Sequence, residues 1–210
     1  MPDYSYENAA LSKGFAVVAG TDEAGRGPLC GEVVAAAVIL PQGLYIEGLN
    51  DSKKLSEKKR EKLYELILEN AVSYGIASAS VEEINQLNIL NAAQLAMRRA
   101  VAKLSPTPDL VLVDGNIARD FEMETQTVIG GDALSCSIAA ASILAKVTRD
   151  RMCLEWDALY PKYGIAGHKG YATKIHVAAL KELGPCPIHR RSFLSKILKD
   201  TPFEDCLKNK

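Results

Sequence analysis

Four carboxylates in this 210-residue chain stand where a strand gives way to glycine. Asp22 and Glu23 follow the apolar run Phe15-Ala16-Val17-Val18-Ala19 and precede Gly25-Arg26-Gly27-Pro28. Asp114 closes Leu110-Val111-Leu112-Val113 and precedes Gly115. Asp132 follows Gly130-Gly131. No histidine or cysteine cluster lies beside them in sequence, and an all-oxygen donor set selects hard cations, Mg²⁺ or Mn²⁺. Left uncompensated, four converging acids would repel, so either their pKa values rise or divalent ions neutralise them. Two such ions roughly 3.5–4 Å apart would make the cluster a phosphoryl-transfer site. The plainer alternatives are a turn with solvated acids at 22–23, an Asp-Gly turn at 114–115, and a helix cap at Asp132. A phosphate loop fails on its own residues, because Arg26-Gly27 stands where Lys and Ser/Thr are required.

The acids can meet only if the elements before them share one sheet edge. Phe15–Ala19 reads as a buried strand with Asp22 and Glu23 at its carboxyl end, where ligands bind in open α/β sheets. Adjacent side chains on a regular strand point to opposite faces, so both acids serve one site only if the strand breaks or bulges there. Glu32–Leu40 reads as a second, antiparallel strand closed by Pro41-Gln42-Gly43. A helix follows to Asn70 with Ser56 as N-cap, then a third strand over Ser73–Val81 and a helix whose apolar face is Leu90, Ala93, Met97, Val101 and Leu104. Asp109–Gly115 is a strand reached through a helix, hence parallel, which puts Asp114 at the edge that holds Asp22. Thr125–Ile129 is a fifth strand. Ser135–Trp156 is a helix, small and apolar over Ile138–Ala145 and then charged at Lys146, Arg149, Asp150 and Arg151. A further helix, Thr173–Leu183, stops at Gly184-Pro185, and the polar tail from Thr201 is expected to fray.

Composition bounds the partner. With 48% hydrophobic residues the chain can bury a sizeable core as one domain. A formal net charge of -1 gives no global positive field, so a nucleic acid must be held by local basic residues. Lys53 and Lys54, in a loop, are the better phosphate candidates, while Lys58, Lys59 and Arg60 read as a solvated helix face. Five cysteines without a C-x-x-C pair point to the reduced cytoplasm, and the absence of a signal peptide or long apolar run argues against export or a membrane. His168, His176 and His189 read as phosphate or structural contacts before general bases.

Five ordered motifs carry a resemblance. Asp-Glu-Ala-Gly-Arg-Gly-Pro at 22–28, Asp-Ser-Lys-Lys-Leu at 51–55, Val-Asp-Gly at 113–115, Gly-Asp at 131–132 with the run 138–151, and His-Lys-Gly-Tyr at 168–171 resemble the type 2 ribonuclease H family, in its bacterial ribonuclease HII form. The resemblance spans about Phe15 to Phe193. It implies an α/β, RNase H-like fold: a five-stranded mixed sheet flanked by helices, with a C-terminal helical extension. The chain then divides into a core over about 14–160, a helical part over about 161–200 and a tail over 201–210 of one domain. The type 3 enzymes differ in an extra N-terminal domain and in lacking the glycine-arginine-glycine element.

The resemblance further implies that Asp22 bridges two divalent ions, that Glu23 and Asp114 hold one and Asp132 the other. It makes Gly25, Arg26, Gly27 and Tyr171 the substrate-reading elements; Lys53, Lys54, Lys146 and Lys169, whose dispersal suits a long phosphate backbone, are further substrate-binding residues. The implied activity is endonucleolytic cleavage of the RNA strand of RNA/DNA hybrids, and 5′ of single ribonucleotides in duplex DNA, leaving 3′-hydroxyl and 5′-phosphate ends. The partner is nucleic acid and the chain a monomer, with a replication-machinery contact through the C-terminal tail. Asp150 is expected to pair with Arg149 or Arg151. Two other classes fit less well. A non-catalytic hybrid-binding module has no need of four acids facing a polyanion, and a small-molecule phosphatase has no need of so many dispersed lysines.

Overall fold

The computed structural model describes residues 1–207. One five-stranded sheet has the order β3-β2-β1-β4-β5. Strands β1 (Val18–Ala24), β2 (Val33–Ile39) and β3 (Ser73–Ala79) form an antiparallel meander. Strands β4 (Leu110–Asp114) and β5 (Glu124–Val128) run parallel to β1. The sheet is therefore mixed, as expected, and the carboxyl ends of β1 and β4 share an edge.

Alternation along β2 shows how the sheet is covered. Val33, Ala35, Ala37 and Ile39 pack with Ala92, Ala93, Ala96 and Met97 of α4 (Ile89–Val101). Ala36 and Val38 turn the other way, onto Leu63 and Ile67 of α2 (Glu57–Asn70) and Ala139, Ala140 and Ile143 of α5 (Cys136–Leu159). The period-two burial of a strand between two helical layers requires this pattern.

The structure departs from the sequence reading at the third strand, at the start of α5 and at the N-terminus. The third strand stops at Ala79, because Ser80 forms a capping box with Glu83 and starts a separate helix, α3 (Val81–Leu87). Asn88, at φ 67°, then breaks the chain before α4. Asp132 does not cap α5; Ser135 does, its hydroxyl accepting from the Ile138 N–H. An unforeseen helix, α1 (Ser5–Ser12), carries the buried Glu7, whose Oε1 accepts from the Ser135 hydroxyl at 2.6 Å and from the Ser137 N–H and hydroxyl at 3.0 and 2.6 Å. A carboxylate at the first turn of a 24-residue helix is favoured by its dipole. Glu7 thus fixes the start of α5 beside Asp132.

Small residues in α5 let it lie close to β1. A Cβ added to Gly20 would stand 2.3 Å from the backbone N of Ile138, so no side chain fits there. The far end of α5 enters a C-terminal lobe with α6 (Ile165–His168), α7 (Lys174–Leu183, capped by Thr173) and α8 (Arg191–Leu194), built around Leu29, Cys30, Trp156, Tyr163, Leu180 and Leu194. The tail is not frayed from Thr201: Phe203 packs on Gly184 and Glu204–Leu207 form a 3-10 turn. Residues 208–210 of the expected tail lie outside the described residues. No helix among the described residues is long and apolar enough to cross a membrane.

Candidate active site

No bulge is needed to bring Asp22 and Glu23 to one site. Pairing of β1 with β2 continues unbroken from Gly20↔Val38 to Ala24↔Val34, whereas its pairing with β4 ends at Thr21↔Val113. Gly20 faces α5 and Ala19 joins the α4 layer, so alternation sends Asp22 toward α5 and Glu23 to the opposite face. Past Thr21 the strand has parted from β4, and the open edge lets both acids approach the end of that strand. The sequence reading had named a break or bulge; the break is real but lies on the β4 side alone.

Asp114 ends β4 and accepts the Gly131 N–H at 2.7 Å, which holds the following 3-10 turn, Gly131–Ala133, against it. Asp132 sits in that turn, 6% exposed. The electrostatics show mutual proximity. Burial raises the Asp22 carboxyl well above its ordinary pKa, and the charges of Glu23 and Asp114 push the same way, against hydrogen bonds from Ser142 and the Glu23 N–H. Burial also raises Glu23, partly offset by Arg26, which pairs with it at 3.2 Å. Asp114 is raised by burial and by Asp132. Lys53 is the counter-charge: its Nζ lies 3.4 Å from Asp132 Oδ2, and the Asp132 and Asp22 charges raise its pKa despite partial burial. Among the described residues no three carboxylates place an oxygen each within 4.8 Å of one another. Four neighbouring acids with one paired ammonium make an oxygen-only donor set with negative charge to spare, suited to hard cations.

The Gly25–Gly27 loop adjoins this cluster and meets Tyr171 directly: a Cβ at Gly27 would lie 3.2 Å from Tyr171 Cε1, and Tyr171 remains 49% exposed. Gly25 has φ +103°, and a side chain there would collide with Arg149 Nε at 2.2 Å. Two buried arginines grip the loop from behind. Arg190 donates to five carbonyls, those of Gly31 (2.7 Å), Arg26 (3.2 Å), Pro28 (2.8 Å), Gly25 (2.7 Å) and Glu32 (3.1 Å). Arg149 donates to Glu32, Lys169 and Cys30 carbonyls at 3.2, 3.0 and 3.1 Å. Neither forms an ion pair with a carboxylate among the described residues. Burial and the neighbouring Arg149 pull the Arg190 pKa down to about 9. The sequence reading placed Arg190 in a basic cluster and missed this role. The visible signal was only His189-Arg190-Arg191, and the carbonyls it serves lie some 160 residues earlier.

The remaining expected contacts are placed variously. Lys54 pairs with Asp51 at 3.7 Å. Lys146 is held by Asp150 at 2.6 Å, and Asp150 also faces Arg60 at 3.6 Å. The expected pairing of Asp150 with Arg149 or Arg151 is thus incorrect: Arg149 points into the loop, and Arg151 bridges Glu61 and Glu65 of α2. Lys169, at φ 52°, gives its carbonyl to Arg149. The histidines bear no relation to a general base at the acids. His168 stacks on His176 with ring centroids 4.2 Å apart, and His176 Nε2 meets His189 Nε2 at 3.0 Å.

The family model described as Ribonuclease HII matches residues 19–196. A protein of Ruminiclostridium cellulolyticum named Ribonuclease HII is 55% identical over 195 residues, covering 93% of this chain and 76% of that protein. The crystal structure of ribonuclease H2 from Pyrococcus horikoshii OT3 superposes with a TM-score of 0.71 at 26% identity, over 93% of this chain and 100% of that one. The RNase HII of Archaeoglobus fulgidus, solved as a complex with PCNA, gives 0.70 at 24% identity, over 85% and 95%.

Proposed function

Because the chain belongs to the ribonuclease HII family, we propose that it is an endonuclease cutting the RNA strand of RNA/DNA hybrids, and cutting 5′ of single ribonucleotides in duplex DNA. The observation that carries this reading is the meeting of two features at one sheet edge. Asp22, Glu23, Asp114 and Asp132 converge there, and the Gly25–Gly27 loop with Tyr171 stands beside them.

The donor set fits hard divalent cations: all four groups are carboxylates, and three hold protons abnormally tightly because they are buried beside one another. Asp22, Glu23, Asp114 and Asp132 would hold two Mg²⁺ or Mn²⁺ ions, which supply the charge neutralisation and Lewis acidity for phosphodiester hydrolysis. The protein's own groups do the rest. Lys53 pairs with Asp132 and stands ready to receive a phosphate. The carbonyls of Gly25 and Arg26 are taken by Arg190, which leaves the loop's N–H groups as what it can offer a 2′-hydroxyl or phosphate. Gly25 and Gly27 lack side chains, so the sugar can approach that backbone closely. Tyr171 offers its hydroxyl to the same sugar while its ring packs on the next one. Products would carry 3′-hydroxyl and 5′-phosphate ends.

The same reading makes the chain a cytoplasmic monomer whose partner is nucleic acid, with its tail as the contact for a replication clamp such as the PCNA seen with the A. fulgidus enzyme. Incubation with Mg²⁺ and, in parallel, a hybrid, a duplex with one ribonucleotide, an all-DNA duplex and a small phosphomonoester tests the proposal. Cleavage of the first two alone is expected. Hydrolysis of the phosphomonoester instead, or binding without cleavage, would replace it with a phosphatase or a binding module.

A further inference from the structure

Three residues past Gly27 the chain enters a buried seam with the C-terminal lobe, and there Cys30 meets two histidines. Cys30, His176 and His189 are at most 2% exposed. The Cys30 sulfur and one ring nitrogen of each histidine all lie within 4.8 Å of one another. His176 Nε2 and His189 Nε2 are 3.0 Å apart. Two nitrogens sharing one tetrahedral zinc ion at about 2.0–2.1 Å would be separated by about 3.3 Å, so the rings need shift only a few tenths of an ångström. We propose that Cys30, His176 and His189 form a binding site for a zinc-class cation, separate from the carboxylate cluster.

The hydrogen bonds around His176 support this use. His176 Nδ1 faces the Tyr171 carbonyl at 3.0 Å, and a carbonyl only accepts, so Nδ1 holds the proton and the Nε2 lone pair faces the cluster. An imidazole whose other nitrogen donates to a backbone carbonyl is the usual oriented ligand of a bound metal. His189 Nδ1 accepts from the Cys186 N–H at 3.0 Å, so without a cation its proton sits on Nε2 and is shared with His176. Entry of the ion releases one proton to solvent, from the Cys30 thiol, while neutral His189 keeps its single N–H and shifts it from Nε2 to Nδ1. That shift gives up the bond from the Cys186 N–H, and the Cys186 sulfur, 3.0 Å away, becomes the acceptor of the Nδ1 proton. One thiolate and two imidazoles favour Zn²⁺ over the Mg²⁺ or Mn²⁺ expected at the acids. The ion would clamp two substrate elements together, because Cys30 continues the Gly25–Gly27 loop and His176 holds the Tyr171 carbonyl.

The test uses the full chain, stripped with EDTA, desalted into buffer with excess Mg²⁺, and titrated with Co²⁺ and then Zn²⁺. One equivalent of Co²⁺ should give a thiolate-to-cobalt charge-transfer band that Zn²⁺ displaces, with a raised Tm on Zn²⁺ binding. Cys30→Ala should abolish the band and weaken Zn²⁺ binding at least ~10-fold, and Asp22→Asn should leave the band intact. Wild-type protein with no such band would overturn the proposal without recourse to any variant. So would a band that survives Cys30→Ala.

Discussion

Arg190 Nη2 lies 2.7 Å from the carbonyl oxygen of Gly25, closing a ring of five carbonyls around one buried guanidinium. Those five donors occupy a fixed planar fork, which a lysine ammonium with three donors on one atom cannot reproduce. Because Arg149 also serves the Glu32 carbonyl, Arg190→Lys should leave at least one of the other four carbonyls unsatisfied, at about 1–3 kcal/mol each. Thermal melts should show the loss, and kcat/KM on a single-ribonucleotide duplex should fall at least ~10-fold by the misplacement of a reading loop. Unchanged Tm and unchanged kinetics would show that the loop holds its shape without Arg190.

Asp22→Asn should abolish Mg²⁺-dependent cleavage and yet stabilise the protein in EDTA. The sign follows from the raised pKa: a carboxyl easier to protonate in the fold than in the unfolded chain contributes stability below its unfolded pKa, lost as pH rises through the folded value. At neutral pH the ionised group is therefore a burden, which the amide removes. Melting in EDTA at pH 7.5 or so checks this, and the gain should shrink when Mg²⁺ is added to wild type.

Tyr171→Phe should lower cleavage at a lone ribonucleotide less than Tyr171→Ala, because the ring against Gly27 is kept while the hydroxyl is lost. Sites built around a hydroxyl discriminate by roughly 10⁴-fold against the analogue lacking it. Wild type should accordingly leave an all-DNA duplex uncut in the same assay. Equal rates for Tyr171→Ala and wild type would remove Tyr171 from the site.

Replacing Lys53 and Lys54 together by Ala should weaken duplex binding across substrates and lower the slope of log affinity against log salt by about one per lost phosphate contact. Lys53 also balances Asp132, so its loss should lower the Mg²⁺ needed for half-maximal cleavage; an unchanged requirement would make phosphate contact its sole part. A shifted cut position would mean that these lysines read the junction.

Burial, and then the neighbouring His176, lower His189 to about 4 from 6.5, and burial lowers His176 too. A base held neutral in the fold contributes stability above its unfolded pKa, lost as pH falls through the folded one. In chelator, stability should therefore decline between about pH 6.5 and 4, by on the order of 3 kcal/mol for His189. Histidine NMR signals should show its ring still neutral at pH 5; a midpoint near 6.5 would contradict the buried arrangement.

The sheet was legible because β2 and β4 are near-continuous apolar runs whose connections fix their directions. Met97 was read as core from helical spacing alone, and it is. What sequence could not show was long-range pairing of polar groups. Glu7 serves serines some 130 residues away, and Arg190 serves carbonyls, which carry no side-chain signature at all. The acids were visible as types and spacings, but their meeting depends on where β1 leaves β4, a register decided by partners distant in sequence.

The pairing of β1 with β4 also sets an order of events in time. The meander of β1, β2 and β3 is local and can form early, but it carries only Asp22 and Glu23. Asp114 arrives with a parallel strand that must close a loop of about ninety residues, and Asp132 arrives later still, steadied by a helix running to Leu159. A nascent chain emerging from the ribosome therefore has half of the acid set and none of the C-terminal grip on the glycine loop until most of its length is made. Nuclease competence therefore waits for Asp132 and the Arg190 grip on the glycine loop, whatever part of the sheet has already formed.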